Sequence, residues 1–563
     1  MARVFKLCGI LMLTILVAAP VYSAPGTKSI FKDKKVDYKT ISDKQEKELQ
    51  DKKDALRGKG GVISAVSQSA GKQEARVFLK QNSLKDISSI YIPENIGKVV
   101  EAYEAPDAKR LVAHIQDLHC NPEAAFNLAN ILEILVKDYG LNLVCSEGAE
   151  GQVDTSSVSG FPDPQTREKV AKLFVNSGEL TGEEYLSITR YPKLPIWGIE
   201  NKDIYFQNID EFNKIMAFNP DSMVFIDKVK DALNNLKPKV YSKKILGLDK
   251  KYAEYEKSET DSSDYIDYLV KLNPLGAGKY KNIGIFMETM QLEKEISQEK
   301  IIDESQALLA KLQPAMDPGN KSEIDALTAK AVLFKDKKIS PYSFYSYLDE
   351  LSNKYIKDQL SSYPAFRKYI NYLNKVNSLD SVALFQEIDD LTYDTKDFLS
   401  DSTAQKNFIK ANRNIKTLGD LFNITVSNEQ YNYYLKNKDT CNVNFFKSTV
   451  TGLSGDSGID YNPSLIDNHL AELEHFYDIA YKRDIALSGN ALKKIEDANS
   501  KVTAIVTGGF HTQGITKALK ESGYSYIVIS PYSKTPIDEE NYRFLLSGKR
   551  KPIEDLIQQM NEK

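Results

Sequence analysis

Leu111-Val112-Ala113-His114-Ile115-Gln116-Asp117-Leu118-His119-Cys120-Asn121-Pro122 passes from an apolar segment through a polar turn into a helical pattern. Leu111–Ile115 reads as a strand bounded by polar residues. Pro122 then opens a helix on which Ala125, Leu128, Ala129, Leu132 and Leu135 recur at helical spacing up to Lys137. Asn121 suits the N-cap, and Pro122 suits the first helical position, where no backbone donor is needed. Gly140 closes this unit, and Leu141–Cys145 is a second short strand. A strand–helix–strand order of this length implies a parallel pair within an α/β sheet. Val99-Val100 and Pro195–Ile199 add further strand candidates.

The same texture returns far downstream. Pro463 to about Leu492 is one long helical pattern, and Val502–Val506 is a strand. Gly508-Gly509 makes a tight turn, Thr512–Ser522 is a helix ending at Gly523, and Tyr526–Ser530 is another strand. Between the two blocks, charged and apolar residues alternate at helical spacing, with turns expected near Pro238, Pro274, Pro314, Pro318 and Pro341. The fold class that follows is α/β: a mostly parallel sheet formed from two distant sequence blocks, with a large all-helical insertion between them. The expected divisions are 89–210 and 441–535 for the two halves of the core, 211–440 for the insertion and 536–563 for a C-terminal helical tail.

The N-terminus reads as a secretory leader. Arg3 and Lys6 precede an uncharged apolar run from Leu7 to Ala19, which Pro20 ends. That run is shorter than the roughly 20 residues a bilayer span needs. Val21 and Ser23 fit a cut after Ser23, so residues 1–23 form the signal peptide and the mature chain is periplasmic or extracellular. Residues 24–88 are rich in Lys, Asp, Gly and Ser and read as an extended arm or linker. No later segment is apolar for long enough to span a membrane. The formal charge of −4 becomes −6 once Arg3 and Lys6 leave, which is mild and gives no reason to expect nucleic acid as a partner. Cys120, Cys145 and Cys441 remain, too few for a disulfide framework. They allow one bridge between Cys120 and Cys145, or free buried thiols. The 563 residues easily support a sizeable core, and the 32 tyrosines point to no mechanism by themselves.

Histidine is scarce, and its positions carry information. The five are His114, His119, His469, His475 and His511, and none falls in the arm or the insertion. His119 stands at the C-terminal end of a strand, the edge where ligands bind in open α/β sheets. Strand alternation puts Asp117 and His119 on one face and His114 on the other, which selects His119. In Val506-Thr507-Gly508-Gly509-Phe510-His511 a strand again ends at a His before a helix. The glycines there can free backbone amides for an anion or oxyanion, which makes Gly508 and Gly509 candidate binding residues. Glu147 and Glu200 follow the other two strand ends, so parallel strands would gather His119, Glu147, Glu200 and His511 along one edge. Such a cluster can hold a divalent metal, or act directly as acid and base on a water. Arg483 shares a helical face with Glu472, Phe476 and Ile479 and can bind a substrate carboxylate or an oxyanion. His469 and His475 are six residues apart, a poor spacing for two ligands, and read as packing residues.

These residues resemble a known superfamily that comprises the TraB/Tiki-type metalloproteases, the ChaN-type haem-binding lipoproteins and the erythromycin esterases. The resemblance rests on Gly508-Gly509-Phe510-His511 with Gly514-Ile515 as the second of two Gly-x-x-His-like motifs. It rests also on Arg483-Asp484 upstream of it and on Gln116-Asp117-Leu118-His119-Cys120-Asn121-Pro122 as the first motif. Gln116 and Asp117 stand where the family has Gly and Glu. The resemblance covers the two flanking blocks and not the helical insertion. It implies a hydrolase in which His119 and His511, with Glu147 or Glu200, activate water on a peptide or a small ester or amide. Arg483 and the Gly508-Gly509 amides would face the oxyanion, and both metal-dependent and metal-independent forms stay open. The ChaN branch implies a second reading, a haem-handling envelope protein. A third is a non-catalytic protein whose helical insertion docks a partner.

Overall fold

The computed structural model describes residues 86–316, 321–455, 458–535, 538–547 and 549. The leader, the arm up to residue 85 and the tail from residue 550 lie outside them. The chain divides into two compact units. One holds 95–133, 141–283 and the chain from 381 onward. The other holds the described residues up to Glu94 together with 134–140 and 284–380.

The larger unit contains one seven-stranded sheet in the order β1-β7-β2-β6-β3-β5-β4. Its strands are β1 (Gly97–Tyr103), β2 (Leu111–Asp117), β3 (Leu143–Ser146), β4 (Glu150–Gln152), β5 (Ile196–Ile199), β6 (Val502–Gly508) and β7 (Ser525–Pro531). The five central strands run parallel, and the edge strands β1 and β4 pair antiparallel with β7 and β5. β2 has both neighbours from the distant block: Ile115 lies beside Val506 on one side and Ile529 on the other. β6 in turn separates β2 from β3. The near-continuous burial of β2, β6 and β7 is what a parallel sheet covered on both faces requires.

Around the sheet are helices α1 (Pro122–Ile134), α2 (Pro164–Asn176) and α3 (Gly182–Thr189). Further along come α4 (Lys202–Val240), α5 (Thr403–Phe422), α6 (Leu470–Asp497) and α7 (Thr512–Glu521). Asn121 caps α1 by accepting the Ala124 amide at 3.0 Å, as the sequence predicts. α1 passes into a single π-helical turn over Leu135–Tyr139, closed by Gly140 in the left-handed region (φ 77°). Leu487, Ala491 and Ile495 of α6 and Ile515 and Leu519 of α7 pack with Val112, Leu143, Ile505 and Val528 of the sheet.

Helix dominates from Lys202 to Asp497, beyond the expected 211–440, and strand resumes only at Val502. Helices do end close to Pro238 and Pro314, at Val240 and Ala315, although both prolines fall just inside those ends, and Pro220 lies well inside α4. Pro274 and Pro341 do stand at helix starts. Within the larger unit α4, α5 and α6 share a core that includes Phe225, Val229, Phe408, Leu418, Leu473 and Tyr477. In the smaller unit Tyr139 is buried and its hydroxyl donates to the Ser89 carbonyl at 3.0 Å, while Phe334 and Phe344 stack with ring centres 4.9 Å apart. Tyrosine thus serves largely as core aromatic in the helical parts. No disulfide joins Cys120 to Cys145. Among the described residues no helix is long and apolar enough to cross a membrane.

Gly198 in β5 sets how closely the chain after β3 can fold back. A Cβ there would collide with the Ala149 backbone and stand 2.6 Å from the Glu150 nitrogen. The Glu200 amide bonds to the Ala149 carbonyl at 2.9 Å in the same contact. Because the obstruction is backbone, Gly198→Ala is expected to destabilise by about 1–3 kcal/mol in urea unfolding. An unchanged midpoint would show that this contact is not tight.

Candidate functional site

The carboxyl ends of β2, β6, β3 and β5 lie side by side, and each delivers its side chain within a few residues of the strand end. His119 follows β2, Glu147 follows β3, Glu200 follows β5 and His511 follows β6 in a short 3-10 turn. All five candidates, Arg483 included, belong to one connected cluster.

Arg483 is its hub. Its Nη2 donates to Glu147 Oε1 at 2.7 Å and also to Glu200 Oε1, and Nη1 donates to Asn208 Oδ1 at 3.0 Å. Tyr205 lies against the guanidinium, 5.3 Å from ring centre to Cζ. Burial works against the charge on Arg483, but Glu147 and Glu200 more than offset it and hold the proton more firmly than usual. Glu147 also accepts the Gly508 amide on Oε2 at 2.7 Å and lies 3.4 Å from His511 Nε2. Burial would raise the Glu147 carboxyl, yet His511, Arg483 and His119 hold it well below the usual range.

Each site histidine has its own carboxylate. His511 Nδ1 bonds to Asp484, the residue after Arg483 on α6, and His119 Nδ1 lies 2.5 Å from Asp117 Oδ2. Burial disfavours the charged form of His511, but Glu147 and Asp484 outweigh it and lift the group to about 9. Desolvation likewise opposes charge on His119, and Asp117 outweighs it, again reaching about 9. His511 is buried, whereas 36% of the His119 side chain is accessible, which makes His119 the open member of the set.

Two glycines of the second motif are explained by proximity. A Cβ on Gly508 would stand 3.3 Å from His119 Nε2 and 3.6 Å from Glu147 Oε2, so both side chains converge over that backbone. A Cβ on Gly514 would stand 2.7 Å from Asp484 Cβ, so glycine there lets α6 bring Asp484 up to His511. Gly509 faces open space.

Several expectations change. The Gly508 amide is already given to Glu147, so it is not presented to an oxyanion. Arg483 is buried and its Nη atoms are engaged, so it organises carboxylates rather than facing substrate. His114 lies apart, fully buried and bonded through Nε2 to Thr507 Oγ1 at 2.9 Å. Burial, then the charge of His511, push it down to about 3. His469 stacks on Phe218 and His475 lies 3.9 Å from Glu211, both remote from this cluster. Sequence reasoning missed Asp484 as the partner of His511, Asn208, and the buried Glu183 that accepts from Ser146 at 2.5 Å.

The set named for a divalent ion does not fit one. Both glutamates share the Arg483 guanidinium, which supplies the positive charge that a metal would bring. Among the described residues no group of three or more His, Cys, Asp or Glu side chains is arranged to hold a metal ion.

Removing the hub should be costly. Arg483→Met leaves two buried carboxylates without their cation and is expected to lose about 3–5 kcal/mol of stability at pH 7, read by urea unfolding. A wild-type midpoint would contradict the hub role. The histidines give a second expectation. Their folded-state values lie above the ordinary 6.5, so the stability they contribute is complete below pH 6.5 and is lost as pH rises through about 9. The urea midpoint should therefore decline over that window, and less so in His511→Asn. No family model, curated protein or solved structure matches this chain.

Proposed function

We propose that this chain is an exported, metal-independent hydrolase of acyl compounds, a peptide or a small ester or amide, with His119 as its acid–base residue. One observation carries the reading. Asp117 holds His119 Nδ1 at 2.5 Å, and the Nε2 side of the ring converges with Glu147 over the Gly508 backbone. A carboxylate behind an imidazole fixes its tautomer and stabilises the imidazolium that forms when it takes a proton.

Neutral His119 takes a proton from water on Nε2 as the water oxygen bonds to the substrate carbonyl carbon. The carbonyl π electrons move to oxygen. When the tetrahedral species collapses, the bond to the alcohol or amine breaks and the leaving group takes the proton back from Nε2. The products are a carboxylic acid and an alcohol or amine. Glu147 places negative charge next to the imidazolium, and Arg483, His511 and Asp484 hold Glu147 in position. The resemblance to the superfamily that includes the erythromycin esterases supports this reading, and the leader supports export.

Acyl ester and amide panels with purified mature protein test it. His119→Ala is expected to lower kcat/KM by ~10²-fold or more, with His475→Ala unchanged. Because the base is the neutral imidazole, the rate should rise with pH and level off above about 9. Asp117→Asn removes the main influence that raises His119 and should move that rise to lower pH. Full activity in His119→Ala would sink the reading, and activity lost to a chelator and restored by zinc would sink its metal-independent part.

A further inference from the structure

Glu183 is the second residue of α3 and is fully buried, with its Oε1 accepting from the Ser146 hydroxyl at 2.5 Å and its Oε2 without a partner. Its neighbour Glu184 does the ordinary work of a first-turn acid, closing a capping box with Thr181. Glu183 instead turns inward, and the close packing of α3 fixes it there. A Cβ at Gly182 would strike the Ala125 carbonyl of α1 and stand 2.9 Å from Leu128 Cδ2. Ser146 ends β3, directly before Glu147, and Asp117 ends β2, two residues before His119. A buried carboxyl with one unsatisfied oxygen is costly unless it serves a purpose or stays protonated.

We propose that Glu183 is a positioning residue of the same site, tethered by Ser146, whose buried carboxyl acts electrostatically through Asp117 on His119. The charged groups whose field reaches it are Asp117 from β2 and Glu184 on its own helix, both negative. Burial first and the Asp117 charge second push the Glu183 carboxyl up to about 7, while the Ser146 hydrogen bond pulls the other way. Near neutral pH Glu183 therefore changes charge beside the Asp117–His119 pair. Once ionised it adds a second negative charge that favours imidazolium on His119. This inference deepens the hydrolase reading, because it assigns Glu183 to setting the pH at which His119 becomes a base.

Histidine ring NMR titration of the intact mature chain tests it without any substrate, with the His119 signals assigned by His119→Asn. The wild-type His119 signals should show a minor step near pH 7 and the main midpoint near 9. In Glu183→Gln, which keeps the oxygen that Ser146 bonds, the minor step should vanish and the main midpoint should fall by about 0.5 or more. A single-step curve identical in both proteins overturns the proposal, because a merely structural glutamate would leave it so. If Glu183→Gln fails to fold, Ser146→Ala serves instead. Losing a hydrogen bond that favours the carboxylate should move the minor step to higher pH, and an unmoved step overturns the proposal. Failure of the acyl panels would remove the hydrolase reading while leaving this coupling measurable, and the converse holds too.

Discussion

Interleaved strand order is the constraint on which everything else rests. β2 cannot complete its pairing without β6 and β7, and β6 cannot complete its own without β3. His114 and Thr507, bonded across β2 and β6, are 393 residues apart. A flexible loop of that length would add a closure cost that grows only with the logarithm of length. Here even that overstates the burden, since the intervening chain is itself packed helix with its own core. Long insertions of this kind are tolerable because they leave the register of the sheet untouched. The same interleaving puts four strand ends next to one another, and those ends come from both blocks. A site built there exists only in the closed sheet.

Closing the sheet then forces a charge problem on the edge. Glu147, Glu200, Asp484 and Asp117 approach one another with little solvent, and each would be disfavoured there alone. Arg483, His511 and His119 answer them, so the cluster approaches neutrality through specific pairs. Buried ion pairs of this kind rarely add stability over apolar packing, but breaking one partner is severe. Their value is geometric. Arg483 bonds two glutamates from different strands, and Asp484, next along α6, reaches His511. One helix thereby fixes the side chains of three strand ends. Glycine at 508 and 514 allows the close approach that these pairs require.

Much of this was legible in the sequence and some was not. The strand–helix–strand rhythm around His119 and the return of the same texture after Val502 gave the sheet, because apolar runs and glycine turns depend on local chemistry. The candidates at the strand ends could be named because strand direction fixes which end collects them. The length of α4 could not be read, since Pro220 sits inside a helix that tertiary packing holds together. Glu183 was hidden for a related reason. Gly182-Glu183-Glu184 looks like an exposed acidic first turn, and only the packing of α3 against α1 decides which glutamate points inward. The pairing of Asp484 with His511 depends on where α6 lies, which the helical period does not reveal. The Gly508 amide was assigned to an oxyanion because a glycine turn at a strand end exposes donors; which acceptor takes them is settled by Glu147, 361 residues away.

The two site histidines look equivalent in sequence, each after a strand and each before a helix, yet their surroundings assign them different work. His511 has both ring nitrogens engaged by carboxylates and almost no exposure, so any proton it exchanged would have to leave through Glu147 or Asp484. His119 bonds Asp117 through Nδ1, and a third of its side chain is open. A group that must take a proton from one molecule and give it to another needs contact with solvent, and His119 is the more exposed of the two imidazoles. The acid beside it is Asp117. Asp117 bonds the imidazole two residues on, while Glu147 bonds Arg483 and lies beside His511. The pairing with Asp117 therefore fixes His119, and the segment from Gly508 to His511 becomes the scaffold against which it works.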